Sequence, residues 1–156
     1  MSIESPERSE IDSLVDLWEA LAAGQQRHNS LIEAAPNRET IRESIAQHLI
    51  SDGILIARGD DGAIVGFVMF TAQSGRYTEL VKTGVIENLY VVPTARDEGI
   101  GSALLEAAHT RLHEAGVETI MLDVMASNRA AQRFYARHGY DPHRLTLAKH
   151  ETDTHS

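Results

Sequence analysis

Behind Ser9, the residues Ile11, Leu14, Val15, Leu17, Trp18 and Leu21 recur at helical spacing and predict a first helix with Ser9 as its cap. Residues 24–36 read as a loop, and residues 37–50 as a second amphipathic helix. A short apolar run, Ile54–Arg58, predicts a strand. The turn Gly59-Asp60-Asp61-Gly62 leads it into a second strand over residues 63–72. Residues 73–84 are polar and irregular, and residues 85–92 form the next apolar run. A helix is predicted over 101–115, stopped by Gly116, then a strand over 119–124. A helix over 128–138, ended by Gly139, and a strand over 140–149 complete the pattern. No repeat, low-complexity tract or linker divides it, so the expectation is one α/β domain spanning residues 1–156.

The chemistry concentrates where the third strand meets the third helix. A β-branched run stops at Pro93, crosses a polar loop and enters a helix through Gly99 and Gly101. The first turn of a helix carries unpaired N–H groups and the positive end of the macrodipole, so an anion is expected there. Glycines at 99 and 101 remove the Cβ atoms that would hold a phosphate off those donors. Arg96 can add a charge-assisted contact. The expected guest is a diphosphate-bearing cofactor. A Walker loop is excluded, because Ile100 follows Gly99 and Ser102 follows Gly101 where a lysine is needed. A dinucleotide fingerprint would place its third glycine at Leu104; Asp123 is a passable acidic partner, yet the missing glycine counts against it.

Composition narrows the classes further. The chain has 23 acidic and 14 basic residues, a formal charge of −9, and no cysteine. Disulfides, thiolate metal sites and an acyl-cysteine intermediate are therefore absent from its chemistry. No basic stripe is available to replace phosphate counterions, so nucleic acid is not an expected partner. No run of about 18 apolar residues is present, and residues 1–10 lack the order of a signal peptide, which predicts a cytoplasmic protein with no membrane partner. Two lysines, Lys82 and Lys149, stand among arginines. A salt-rich cytoplasm and GC-biased coding would both give this preference.

Arg96-x-x-Gly99-x-Gly101 resembles the acetyl-CoA loop of the GNAT superfamily of acyl-CoA-dependent N-acyltransferases. Asn128-x-x-Ala131-x-x-Phe134-Tyr135, followed by Gly139-Tyr140, is similar to the fourth helix of that superfamily and its exit. The strand Ile86-Glu87-Asn88-Leu89-Tyr90-Val91 stands at the matching distance. The similarity runs over residues 54–149 and, weakly, the N-terminal helices. It implies a central mixed, mostly antiparallel sheet flanked by about four helices. The implied co-substrate is acetyl-CoA, with no metal.

The resemblance also implies roles. The pantetheine arm would lie along the backbone of Leu89, Tyr90 and Val91. The diphosphate would sit on the N–H groups from Arg96 through Asp97, Glu98, Gly99, Ile100 and Gly101 to Ser102. Asp97 and Glu98 depart from the small or basic residues usual there, and are expected to point outward. Glu87, on the strand nearest the thioester, is the candidate base for the attacking amine, directly or through water; histone-type members place theirs two residues earlier, at Val85 here. Tyr135 is the candidate donor to the departing thiolate, and also contacts the cofactor. Asn128 suits a helix N-cap and, by resemblance, a cofactor contact.

Other residues weigh less. His109 and His113 have a zinc-compatible spacing, but Thr110 stands where a glutamate would follow, and they read as a solvated face. Trp18 reads as core, while His28 and His48 fall in or near the helices that shape the acceptor pocket in this superfamily. The resulting expectation is acetyl transfer to a primary amine by direct attack in a ternary complex, since the usual acyl-enzyme nucleophile is missing. Glu79 and Glu87 near the pocket mouth suit a cationic small amine or polyamine rather than a peptide N-terminus. A non-catalytic acyl-CoA-binding or regulatory module is the alternative. The resemblance allows a homodimer, and no feature of the sequence fixes its interface.

Overall fold

In the computed structural model, which describes residues 1–26, 38–73 and 82–151, the predicted alternation becomes five strands and four helices. The unit Met1–Met125 holds β1 (Ser2–Glu4), α1 (Ile11–Gln26), α2 (Arg38–Ile50), β2 (Ile54–Arg58), β3 (Ile64–Gln73), β4 (Thr83–Val91), α3 (Ile100–Glu114) and β5 (Thr119–Met121). A second unit begins at Ala126 and holds α4 (Arg129–Arg137). The sheet order is β1-β2-β3-β4-β5, with three antiparallel pairings and a parallel one between β4 and β5. This is the mixed, mostly antiparallel sheet that the sequence predicts.

The apolar runs of β2 and β3 are buried on both faces because helices cover both sides of the sheet. Alternation sends Ile54 and Ile56 to one face, where they join Phe67 and Met69 against Leu14 and Val15 of α1 and Ile41 and Ile45 of α2. The other face receives Leu104, Leu105, Ala108 and Leu112 of α3, all fully buried. Gly66 lies where β4 and α3 both come close to β3. A Cβ there would lie 2.7 Å from the Tyr90 carbonyl oxygen and 3.1 Å from Leu104.

The N-terminus departs from expectation. β1 follows no apolar period, yet it pairs with β2 from Ser2↔Arg58 to Glu4↔Ile56. Arg58 fastens it, donating to Glu4 at 2.8 Å and to Glu10 at 3.0 Å. Ser9 does not cap α1. It lies in a 3-10 turn, Arg8–Glu10, that runs into the helix, and the Glu7 N–H donates to Glu10 Oε1 at 2.9 Å.

Two predicted strands also differ. β5 stops at Met121, short of the predicted Val124, and the segment 140–149 forms no strand. Its Leu145 and Leu147 are 78% and 84% exposed. Period-two alternation describes a residue's readiness to pair, whereas the strand itself needs a neighbour's backbone groups. No described strand pairs with this segment.

In the second unit Asn128 caps α4, accepting from the Ala131 N–H at 3.1 Å. Gly139, at φ 89°, closes the helix: its N–H bonds Ala136 O and the Tyr140 N–H bonds Tyr135 O, both at 3.1 Å. The same closure stacks the Tyr140 ring edge-on to Tyr135, centroids 5.7 Å apart.

Candidate active site

The strand-to-helix crossing is built as an anion cradle. After β4 a 3-10 turn, Pro93–Ala95, buries Ala95 and turns the chain outward. Asp97 and Gly99 take left-handed conformations, at φ 64° and 81°, and Gly99 stands as the N-cap of α3. Glycine has no side chain to cap with, so the N-cap residue leaves the first amides to other partners. Ala103 donates back to Gly99 O at 3.0 Å, and the amides of the turn before it point along the helix axis toward the loop. A Cβ on Gly99 would meet nothing within 4 Å, so the chain is uncrowded at the entry to the helix. Ile100 is buried and holds the turn to the sheet, while Asp97 and Glu98 are both exposed, as expected. The donor set fits a diphosphate.

Arg96 reaches back to β4. Its Nε–H donates to Val91 O at 2.9 Å, and its guanidinium stacks over the Tyr90 ring at 5.6 Å. This contact holds the end of β4, and the exposed guanidinium keeps its NH groups on the side of the loop that leads to α3.

β4 is paired along its whole length with β3, but with β5 only at Thr83, Gly84 and Val85. Past Val85 the two strands part. Ile86 to Val91, including Leu89 and Tyr90, then have no strand partner on that edge among the described residues. An extended ligand arm can use those backbone groups by adding to the strand.

Glu87 sits at the start of that stretch, in a bulge. Met69 pairs with Asn88 and Phe70 with Ile86, which leaves Glu87 as the extra residue. The bulge puts Glu87 and Asn88 side by side at one cavity of about 380 Å³, with Trp18, Thr40, Ser44 and His48 on its other walls. The Glu87 carboxylate is hydrogen-bonded to His48 Nε2. His48 Nδ1–H donates to Ser44 O at 2.7 Å, and Thr71 Oγ1 lies 3.4 Å from Nε2. With Nδ1 committed as a donor to a carbonyl, a bond from Nε2 to a carboxylate requires the imidazolium form. The two shifts agree: the hydrogen bond to Glu87 raises His48 above the usual histidine value despite burial, and the hydrogen bond to His48 lowers Glu87.

In the second unit Tyr135 is half-buried beside Phe134, ring centroids 5.2 Å apart, and burial pushes its phenol up to about 12. Asn128 holds the N-cap role that its type predicts.

Sequence reasoning reached Glu87 and the cradle but gave His48 no partner, and it passed over Ser44 and Thr71. A usable signal existed: Ser44 and His48 are four apart on one face of α2, as are Ile41 and Ile45 on the buried face. Trp18 packs on the core as predicted and also walls the cavity. His109 lies on α3, 4.0 Å from Glu106. His28, Glu79 and most of the 73–84 loop lie outside the described residues.

A glycine-opened helix, a strand that parts from its neighbour and a carboxylate-bearing cavity on that strand make an α/β domain whose helix entry can take an anionic ligand. The sequence profile of the acetyltransferase (GNAT) family matches residues 17–140, and the chain belongs to that family of enzymes. An uncharacterized N-acetyltransferase of Archaeoglobus fulgidus is 30% identical over 139 residues, covering 87% of this chain and 90% of that protein. The aminoalkylphosphonate N-acetyltransferase of Salmonella typhimurium is 38% identical over 114 residues, 71% of this chain and 72% of that one. Among solved structures, aminoglycoside N-acetyltransferase AAC(6')-Iy in complex with CoA superposes with a TM-score of 0.76. It is 15% identical, over 96% of this chain and 94% of that one, a likeness of fold.

Proposed function

We propose that this N-acetyltransferase moves an acetyl group from acetyl-CoA to a primary amine in one ternary complex, with a small cationic amine or polyamine as acceptor. The observation that carries this reading is Glu87. A bulge turns its carboxylate into a cavity at the point where β4 leaves β5. The cradle from Arg96 to Ser102 would take the diphosphate on backbone amides. The exposed edge of Leu89, Tyr90 and Val91 would take the pantetheine arm, which aims the thioester at Glu87. A cationic amine is attracted to that carboxylate and must lose a proton before it can attack, and Glu87 assists that deprotonation, in direct contact or through a relay.

Tyr135 is assigned to the leaving group. At about 12 its phenol lies roughly 3.5 units above a cysteine-like thiol near 8.5, about 5 kcal/mol against full proton transfer. Its contribution is therefore a hydrogen bond donated to the developing thiolate. Direct transfer accords with a chain that contains no cysteine.

Glu87→Gln tests the assignment. Loss of general-base help should lower kcat about 10²- to 10⁴-fold in a thiol-release assay, with CoA affinity unchanged. Near-normal turnover of the variant across the pH range would remove Glu87 from the chemistry.

A further inference from the structure

His48 has both ring nitrogens occupied, and the two partners are not equivalent. Ser44 O is a carbonyl and can only accept, so Nδ1 keeps its proton in every ionisation state. The ring is oriented by these two bonds and lies over Gly53, where a Cβ would come within 3.3 Å of His48 Cδ2. When the imidazolium loses a proton, it is the Nε2 proton that goes. Two acceptors, the Nε2 lone pair and the Glu87 carboxylate, then converge with the Thr71 hydroxyl on one point of the cavity wall. The Thr71 hydroxyl, hydrogen-bonded to Glu87, has one proton for the two acceptors, so the site stays short of donors until a group with several N–H bonds enters. A primary ammonium is such a group.

From this geometry we infer that neutral His48 and Glu87 together form the ammonium-binding site, and that His48 Nε2 takes the proton the acceptor must lose. The inference rests on the acetyltransfer reading and deepens it. The ammonium donates to Nε2 and to the carboxylate, and one N–H proton passes to Nε2, restoring the imidazolium–carboxylate pair. The freed amine lone pair forms the C–N bond. The C–S bond breaks with its electron pair on sulfur, and the surplus proton on nitrogen goes to the thiolate. The His48 proton then leaves to solvent. Glu87 is a positioning residue in this scheme, because it draws the proton to His48 and holds the ammonium in line.

The charged surroundings of the ring are simple. Among the described residues β4 sets Glu87 against it and β3 the Thr71 hydroxyl, and α1 walls the cavity with Trp18. Arg42 of α2 is paired with Asp12 of α1.

The test follows His48 itself by NMR in the full chain. Its imidazole signal is assigned from the spectrum of His48→Gln, and titrations are run with and without spermidine or glucosamine. His48 should titrate above ordinary histidine in the wild type and fall back in Glu87→Gln. An amine at about tenfold its dissociation constant should lower the apparent midpoint by about one unit, since it binds the neutral ring. For an amine that turns over, kcat/KM should climb about tenfold per pH unit below that midpoint, and His48→Gln should lose this rise. A His48 titration indifferent to Glu87→Gln or to both amines overturns the inference, as does a rise that survives in His48→Gln. If the amines move the titration while no thiol is released, the ammonium site stands and the acetyltransfer reading fails.

Discussion

The Glu87–His48 pair would stabilise the fold as well as serve the proposed site, and both contributions rest on one interaction. His48 is raised by folding, so its contribution is full below about 6.5 and disappears as pH climbs through its higher folded value. Glu87 is lowered by folding, so its contribution is full above about 4.5 and disappears as pH falls through its lower folded value. Both are complete only between those limits. Thermal unfolding of wild type and His48→Gln should therefore differ most near pH 5–6 and converge at higher pH. A gap that widens steadily with pH would contradict the pairing. At the loop, Asp97 and Glu98 are exposed beside the amides that would hold a diphosphate. CoA should then bind more tightly as added salt screens the repulsion, and the double variant Asp97→Asn, Glu98→Gln should remove that rise. A monotonic loss of wild-type affinity with salt would reject it. Asparagine suits position 97, since it tolerates the left-handed backbone seen there.

At the scale of elements, β4 carries most of the design. Its pairing with β5 ends after Val85, its bulge aims Glu87, and Arg96 pins its end through Val91 O. The packing of β3 against β4 and α3 depends on Gly66, where a Cβ would meet the Tyr90 backbone of β4 at 2.7 Å and Leu104 of α3 at 3.1 Å. Gly66→Ala should cost about 3 kcal/mol by calorimetry or denaturant unfolding, because backbone cannot swing aside as a flexible side chain can. An unchanged midpoint would show that the strand relaxes. These elements were unevenly legible in the sequence. Helical periods and the glycines at 99, 116 and 139 announced α2, α3 and α4 nearly to the residue, since caps and periodicity are local, whereas α1 runs through Gly24, read as loop, to Gln26. The cradle was legible for the same reason. The bulge was not, because Ile86-Glu87-Asn88 reads as ordinary alternation until β3 fixes the register. β1 and the segment 140–149 failed in opposite directions for one cause: pairing belongs to the partner strand. His48 was visible as a residue, but Glu87 lies 39 positions further on, and only the packing of α2 on the sheet brings them together.

For the molecule as a whole, the profile match over residues 17–140 sets the family, a CoA-bound aminoglycoside N-acetyltransferase shares the fold, and the proposed acceptor would enter a cavity of about 380 Å³. No described helix is long and apolar enough to cross a membrane. The excess of acidic residues gives a charge of −9, which favours approach of cationic acceptors and opposes that of the anionic co-substrate. The backbone amides of the cradle must therefore outweigh the overall field at close range. The most direct measurement is release of free thiol from saturating acetyl-CoA against a panel of polyamines, amino-sugars and peptide N-termini, with the products identified by mass. Thiol release should require a small cationic amine and match N-acetylated product one for one. CoA binding without release for any amine, or release with peptide N-termini alone, would contradict the account.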